Sequence, residues 1–535
     1  TQKDPTINID GKTALLGDKV YYRVNIDASR LTDTAYKVWR LGMTDDYDQE
    51  YLTLDAKHVE ILDETGRDRT GEFNIQDKDG VLYAFAKTVD TMIPATGETV
   101  PGDPQPDDLK AYSEKTDKDY DPLKDPSIDQ SLLGHTYQVV MPMTVTKVKD
   151  GHTVENTATQ VTNDKRDKTN TVTNPLKEIN PTKDVTVKVG GDSIDGKSVY
   201  LNHTFLYRLD SSILPPDRAY QTVTDWGGTD QLNTEYDQYL GNWAVYASRD
   251  LYRDGQMLAA KGEKIAGSGF DSSKFGGNLF TVDADDNGKV TADATQTYLD
   301  LVSADNEHEA GWVLYLQCKR IAVADEVPNT WTETINGQPR ESNKVVTKTP
   351  DMTPSIHLEK VDTPTLKQDG QEQADRDDPK QALKMDADNI GITFIITNTS
   401  KTDPATGDGA WYKASDLNLD DSTIVGDAHV DMDSLTYPAD WDTLVLKPGE
   451  SVSVTGTLKG VKEGDTHTDR AIVTGTPLVE CAPSNGDPFN DKTDGGEDTD
   501  PEYSTGDVTE IDGKQLCADT QTTSNTDDWN GYRAK

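Results

Sequence analysis

Cysteine is almost missing from this chain, with three in 535 residues, so a disulfide-built scaffold is excluded. Long apolar runs are missing as well. No stretch of about 18 apolar residues occurs, and nothing reads as a membrane-spanning helix. Basic charge is scarce: 53 Lys and Arg stand against 96 Asp and Glu, a net charge of −43. Such a surface repels phosphate backbones and anionic lipids, which argues against nucleic-acid partners and membrane insertion. The eight histidines are scattered. "HEAGW" at His308 lacks the second histidine of a zinc-binding helix, and neither a nucleophile elbow nor a phosphate loop is found. A carbohydrate-active enzyme would need two carboxylates facing each other across a cleft, and nothing singles out such a pair. No turnover enzyme is expected. The chain opens at Thr1 without a leader and ends at Lys535 without an anchor, so it is expected to be a piece of a longer protein.

Leu-rich amphipathic runs are lacking too. In their place are alternating segments: "KVYYRVNI", "TYQVVMPMTV", "WVLYLQC", "GITFIITN" and "SVSVTGTL". Gly, Asp, Asn and Pro punctuate them. This pattern predicts an all-β protein.

The chain also repeats itself. "IDGKTALLGDKVYYRV" from Ile9 matches "IDGKSVYLNHTFLYRL" from Ile194. "MTDDYD" at Met43 is set against "VTDWGG" at Val223, and "TNTVTNP" at Thr169 against "SNKVVTKTP" at Ser342. Lys3 to Asp45 spans 42 residues, as does Lys183 to Asp225; Asn156 to Asn170 spans 14, as does Asn329 to Asn343. The middles differ in length, as loops do. The expected modules are 1–177, 178–352 and 353–535. Short proline-marked joints make them semi-rigid neighbours. The third reads as a small immunoglobulin-like β-sandwich with an acidic C-terminal loop region.

Lys, Asp and Asn at module ends suggest a chemistry. An apolar interior pushes a lysine toward the neutral amine and an aspartate toward the neutral acid. The amine is then a nucleophile, and the acid polarises an asparagine carbonyl. Attack expels ammonia and leaves a Lys–Asn isopeptide bond, with proximity and desolvation supplied by the fold. The candidate sets are Lys3, Asp45 and Asn170, and Lys183, Asp225 and Asn343. Asn156 and Asn329 recur as well and stand as the alternative amides.

These stretches ("PTKDV…IDGKSVYL…YRL…LPPDRAY…TD…SNKVVTKTP") resemble the isopeptide-forming C-terminal domains of streptococcal antigen I/II adhesins, in two tandem copies. The opening "TQKDPTINIDG" departs from the pattern, being five residues shorter between Lys and Gly. The resemblance implies tandem immunoglobulin-like sandwiches in an elongated array. It also implies Lys–Asn crosslinks assisted by Asp45 and Asp225, and a stalk below an adhesive region. The expected setting is the cell wall-anchored surface of a Gram-positive bacterium, and the chain is expected to be a monomer. The alternative is a module that itself engages a host or microbial surface ligand, with Trp226, Trp243, Trp411 and Trp441 as candidate lining. The third module resembles immunoglobulin-like surface-protein repeats. There Lys360 and Asp469 allow a Lys–Asp link in principle, though a surface lysine and a turn aspartate are the plainer reading.

Three smaller expectations complete the reading. "DADDNGKVTAD" begins like a calcium loop at Asp283, Asp285, Asn287 and Gly288. Its twelfth position is Ala294 rather than a glutamate, so a hairpin turn is expected. The run Asp487, Asp491, Asp494, Glu497, Asp498 and Asp500 offers oxygen ligands for calcium but follows no known spacing; no cofactor is expected. Cys481 and Cys517 are expected to pair in an extracellular setting, and Cys318 to be a small buried residue.

Overall fold

The computed structural model describes residues 3–32, 37–104, 106–363, 367–368, 371–372, 376–489 and 508–535. Two short α-helices, Leu109–Glu114 and Gln296–Ala304, are the α-helices among these residues; apart from single-turn 3-10 helices, strands make up the rest of the regular structure. The fold is all-β, in tandem immunoglobulin-like sandwiches.

In the first module, Lys19–Asp27 pairs antiparallel with Thr136–Val145, which also pairs with Leu52–Leu54 and Glu60–Asp63. The facing sheet runs Lys165–Lys168, Ala158–Thr162, Leu41–Asp46, Val81–Ala86, Phe73–Lys78. Strict alternation along Lys19–Asp27 sends Val20, Tyr22, Val24 and Ile26 inward, as a half-buried strand requires.

The second module repeats this plan with one strand more. Its first sheet runs Thr182–Thr186, Thr204–Asp210, Trp312–Arg320, Asp237–Ala247, Lys264–Gly267. Its second runs Phe280–Ala284, Lys289–Ala294, Trp226–Gln231, Trp331–Ile335, Gln338–Glu341. Thr204–Asp210 corresponds to Lys19–Asp27 of the first module. Here it is covered by Thr182–Thr186, whereas Lys19–Asp27 is an edge among the described residues.

The third module packs Ile356–Asp362, Asn389–Asn398, Ser451–Lys459 and His429–Val430 against Leu383–Lys384, Thr523–Tyr532, Thr466–Gly475 and Asn418–Val425. The polar tail after Cys481 returns to the fold. Its last strand lies inside the second sheet, beside Thr466–Gly475, and buries Trp529. A three-stranded flap, Leu478–Glu480, Lys514–Ala518 and Thr509–Ile511, carries the joined Cys481 and Cys517, 36 residues apart. Closing a loop of that length restricts the unfolded chain by about 4 kcal/mol in the chain-entropy model. Cys517→Ser is therefore expected to lower the unfolding free energy of the third module by a comparable amount, read from its urea midpoint, without moving the second module's transition.

The modules touch at their joints. Thr13 donates its N–H to the Asp217 carbonyl (2.8 Å) and accepts from the Ala219 N–H (2.7 Å). The Arg340 guanidinium donates to the Leu16 carbonyl (3.1 Å), and Leu15 sits in the second module's core. Between the second and third modules, the Ser198 hydroxyl donates to Asp403 and the Tyr200 hydroxyl to Asp408, both at 2.8 Å. Phe489 packs among Val189, Leu206, Tyr246 and Tyr315.

Candidate functional site

Lys183 lies on the opening strand Thr182–Thr186, whose alternation turns it inward with Val185. Its side chain is completely enclosed and its ammonium pairs with Asp230 Oδ2. The ammonium also sits 4.5 Å from the Tyr207 ring centroid. Burial outweighs the carboxylate's attraction and pushes the Lys183 pKa down, which favours the free amine. Asp230 comes from the facing sheet, on Trp226–Gln231, and is paired in register with Trp331. Two residues before Trp331 stands Asn329, the last residue of Ala324–Asn329. Asn329 is 6% exposed, and its Nδ2 has no hydrogen-bond partner among the described residues; neither has Asp230 Oδ1. A buried amide and a buried carboxylate oxygen left unpaired are costly.

The first module holds the same arrangement. Asp45 pairs in register with Ala158, and two residues before Ala158 stands Asn156. Here the amide contact is direct: Asn156 Nδ2 donates to Asp45 Oδ2 at 3.1 Å, and both residues are buried. The strands carrying the two aspartates share "GMTD" and "GGTD". Both glycines are sterically required: a Cβ on Gly42 would lie 2.2 Å from the Ala84 carbonyl oxygen, and one on Gly227 2.3 Å from that of Ala292. Neighbouring strands close in tightly beside each acid.

The structure places the other candidates elsewhere. Asp225 sits in a turn, where both carboxylate oxygens accept the Gly337 N–H at 2.9 Å. Asn343 uses its side-chain amide on the lysine's backbone: Oδ1 accepts the Lys183 N–H (2.8 Å) and Nδ2 donates to the Lys183 carbonyl (2.9 Å). It positions Lys183 without facing its ammonium. Asn170 is exposed. Lys3 is at the surface, 58% exposed, and pairs with Glu60 at 3.1 Å. Where a strand equivalent to Thr182–Thr186 would lie, the first module has a groove of about 460 Å³ along Val20–Asn25, lined also by Pro5, Asn156 and Asn170. The first module thus presents the acid and the amide, and the second adds the amine.

Burial raises Asp45 to about 6 from its ordinary 3.8. The folded state therefore holds this proton more tightly than the unfolded chain does. The group's contribution is most favourable below about pH 4, declines as pH rises to about 6, and is constant above, a loss on the order of 2–3 kcal/mol. Asp18, also raised to about 6 by burial, acts in the same direction. Asp45→Asn is expected to remove roughly half of this pH dependence, measured as the difference between the first module's urea midpoints at pH 4 and pH 7.

Lys360 and Asp469 are not at the surface: both side chains are fully enclosed, and they pair at 2.5 Å. The plainer reading fails because the strand Ile356–Asp362 turns Lys360 into the sandwich. The tryptophans offer little exposed surface. Trp226 is buried with its indole N–H on Glu333 (2.8 Å). Trp411 is buried, and Trp243 and Trp441 pack against the cores. Asp283–Ala294 forms the expected hairpin, with Asp285 Oδ1 accepting the Asn287 and Lys289 N–H groups at 2.9 Å. Of the acidic run, Asp487 is described and the others lie outside the described residues. Cys318 is buried, and burial raises its thiol well above the ordinary range.

Two family models match the chain. One, for the cell surface antigen I/II C2 terminal domain, covers residues 1–176; the other, for the cell surface antigen C-terminus, covers 180–350. Aggregation substance of Enterococcus faecalis is 30% identical over 324 residues, covering 60% of this chain and 21% of the relative's length. Among solved structures, the C-terminal domain of the Streptococcus pyogenes antigen I/II-family protein AspA aligns over 64% of this chain and 95% of its own, at 22% identity and a TM-score of 0.47. The C-terminal domain of the Streptococcus agalactiae AgI/II polypeptide BspA aligns over 64% and 96%, at 18% identity and a TM-score of 0.46.

Proposed function

We propose, for a chain whose residues 1–350 resemble the C-terminal domains of antigen I/II cell surface antigens, a structural role as a stalk segment of a Gram-positive surface adhesin, its second module closed by an isopeptide bond between Lys183 and Asn329. The observation that carries this reading is the enclosed Lys183–Asp230 pair together with the buried, unpaired Asn329 amide two residues before Trp331, the register partner of Asp230, as Asn156 stands to Asp45. The Lys183 ammonium passes a proton to the Asp230 carboxylate, freeing the amine. The nitrogen lone pair attacks Asn329 Cγ. Asp230 returns its proton to the departing amide nitrogen and takes one from the attacking nitrogen, so that ammonia leaves and an amide remains. Exclusion of water keeps the lysine poised and protects the intermediate.

The bond would join the opening strand to the end of Ala324–Asn329. That strand pairs with the closing strand Val345–Thr349. Tension entering the module at one end would leave at the other without separating the sheets, which suits a protein held out from the cell surface. Substitution separates the two amides. Asn329→Ala is expected to keep the ammonia that the native chain loses. Asn343→Ala, which removes only the backbone clamp, is expected to retain the crosslink. Asp230→Asn lacks the proton carrier and is expected to leave Lys183 uncoupled. Intact mass of each reduced, denatured variant reads these outcomes, and a crosslink surviving Asn329→Ala would sink the assignment.

A further inference from the structure

The third module contains a second enclosed amine, in a setting without an asparagine. Lys360 Nζ lies 2.5 Å from Asp421 Oδ2 and 2.5 Å from Asp469 Oδ2. The three side chains are at most 1% exposed. The lysine comes from Ile356–Asp362 in one sheet; the carboxylates come from Asn418–Val425 and Thr466–Gly475, neighbours in the other. Oδ1 of each aspartate has no partner among the described residues. One lysine thus faces two carboxyl groups in a dry interior, where two negative charges side by side are strongly disfavoured. The lysine's position is fixed from behind: its N–H donates to Asp527 Oδ2 at 2.6 Å, and its Nζ lies 5.6 Å from the Phe394 ring centroid.

The two carboxyls are not equivalent. His467, itself buried, contacts Asp469 Oδ2 through Nε2 at 2.9 Å. Asp469 therefore has a second partner that supports its charged form. Asp421 has the lysine and, beside it, the carboxyl of Asp469, and burial together with that neighbouring acid raises it to about 6. Asp421 is the group that carries the proton, and Asp469 the one that remains charged.

We propose that Lys360 and Asp421 are joined by a side-chain amide, formed within the folded module with Asp469 as proton carrier. The Lys360 ammonium gives one proton to the Asp469 carboxylate. The free amine attacks Cγ of the Asp421 carboxylic acid. The Cγ–OH bond breaks, and the departing oxygen takes a proton from Asp469 as the new amide nitrogen gives one up to it. One water leaves, Asp469 ends protonated, and no charge, oxidant or cofactor is left over. The reaction differs from that of the second module in its acyl donor and in its leaving group. It fastens one sheet of the third module to the other.

The test uses the full chain. Intact mass after reduction and denaturation is expected to show the loss of one water in addition to any ammonia lost elsewhere. Peptide mapping is expected to give a branched peptide joining Lys360 to Asp421. Two variants fix the roles. Asp421→Asn keeps the acyl carbon and changes the leaving group, so the third module should lose ammonia in place of water. Asp469→Asn removes the proton carrier and should leave Lys360 uncoupled. An unbranched Lys360 peptide from the native chain overturns the proposal, as does a branch to Asp469. The native-chain measurement stands even if either variant fails to fold. Because water and ammonia differ in mass and the branched peptides map to different modules, its outcome is independent of the Lys183–Asn329 reading.

Discussion

Lys183→Ala is expected to leave the second module barely stable or unfolded. The substitution has two costs. It leaves Asp230 as a buried carboxyl group without its lysine partner, worth about 1–3 kcal/mol. It also removes the proposed Lys183–Asn329 bond, which would close a loop of roughly 150 residues and be worth about 5 kcal/mol in the chain-entropy model used for disulfides. Their sum is comparable with the total stability of an ordinary domain, about 5–15 kcal/mol. The expected signature is loss of the second module's cooperative urea transition and rapid proteolysis between residues 178 and 352. The double variant Lys183→Met, Asp230→Asn avoids the stranded acid and isolates the proposed crosslink. It should recover a cooperative transition, displaced downward by the crosslink's share. A native-like midpoint for Lys183→Ala would mean that neither the Asp230 contact nor the proposed bond supports the module.

Arg320→Ala should cost about 3–5 kcal/mol in the same module through a different network. The Arg320 side chain is fully enclosed. It donates through Nε to Asp237 Oδ1, through Nη1 to Thr349 Oγ1 and through Nη2 to Thr347 Oγ1, each at 2.7 Å. The Tyr207 hydroxyl completes the set on Asp237 Oδ2, also at 2.7 Å. One guanidinium thus ties Trp312–Arg320 to Asp237–Ala247 and to the closing strand Val345–Thr349. Removing it leaves Asp237 buried with a phenol as its remaining side-chain partner and takes a donor from the hydroxyls of Thr347 and Thr349, the latter still donating to the Val199 carbonyl at 2.6 Å. Amide exchange should quicken first in Val345–Thr349. Arg320→Lys should not rescue it, since one ammonium cannot reproduce three directed bonds at this spacing.

Much of the fold was readable because the strands alternate cleanly. "KVYYRVNI" and "GITFIITN" each send every second residue inward, and the period of two has few other meanings. The last strand was not readable. "TSNTDDWNGY" looks like loop, yet Trp529 is fully buried and its indole N–H is held by Asp362 at 2.7 Å. Polar residues can enter a core when partners from distant strands satisfy them, and a local pattern does not display those partners.

The residues of the proposed crosslink were partly readable. That Lys183 is enclosed followed from its place at the head of a strand. Asp225 was chosen because its distance from Lys183 equalled that of Asp45 from Lys3, but the first module's opening is shorter, so equal spacing was misleading. The signal that finds Asp230 was present. Carrying the "IDGK" alignment forward without a gap sets "GMTD" against "GGTD" and Asp45 against Asp230. Asn329 and Asn343 both recur in the repeat, and only three-dimensional placement separates a buried amide from a backbone clamp. Lys360 looked ordinary because lysines are mostly exposed. The two strands that enclose it with carboxylates lie some sixty and more than a hundred residues away in the chain.

The most direct test of the account is a peptide map of the reduced, denatured native chain. A branched peptide joining Lys183 to Asn329, lighter by one ammonia than its two parts, is the predicted result. Separate, unmodified Lys183 and Asn329 peptides would contradict it.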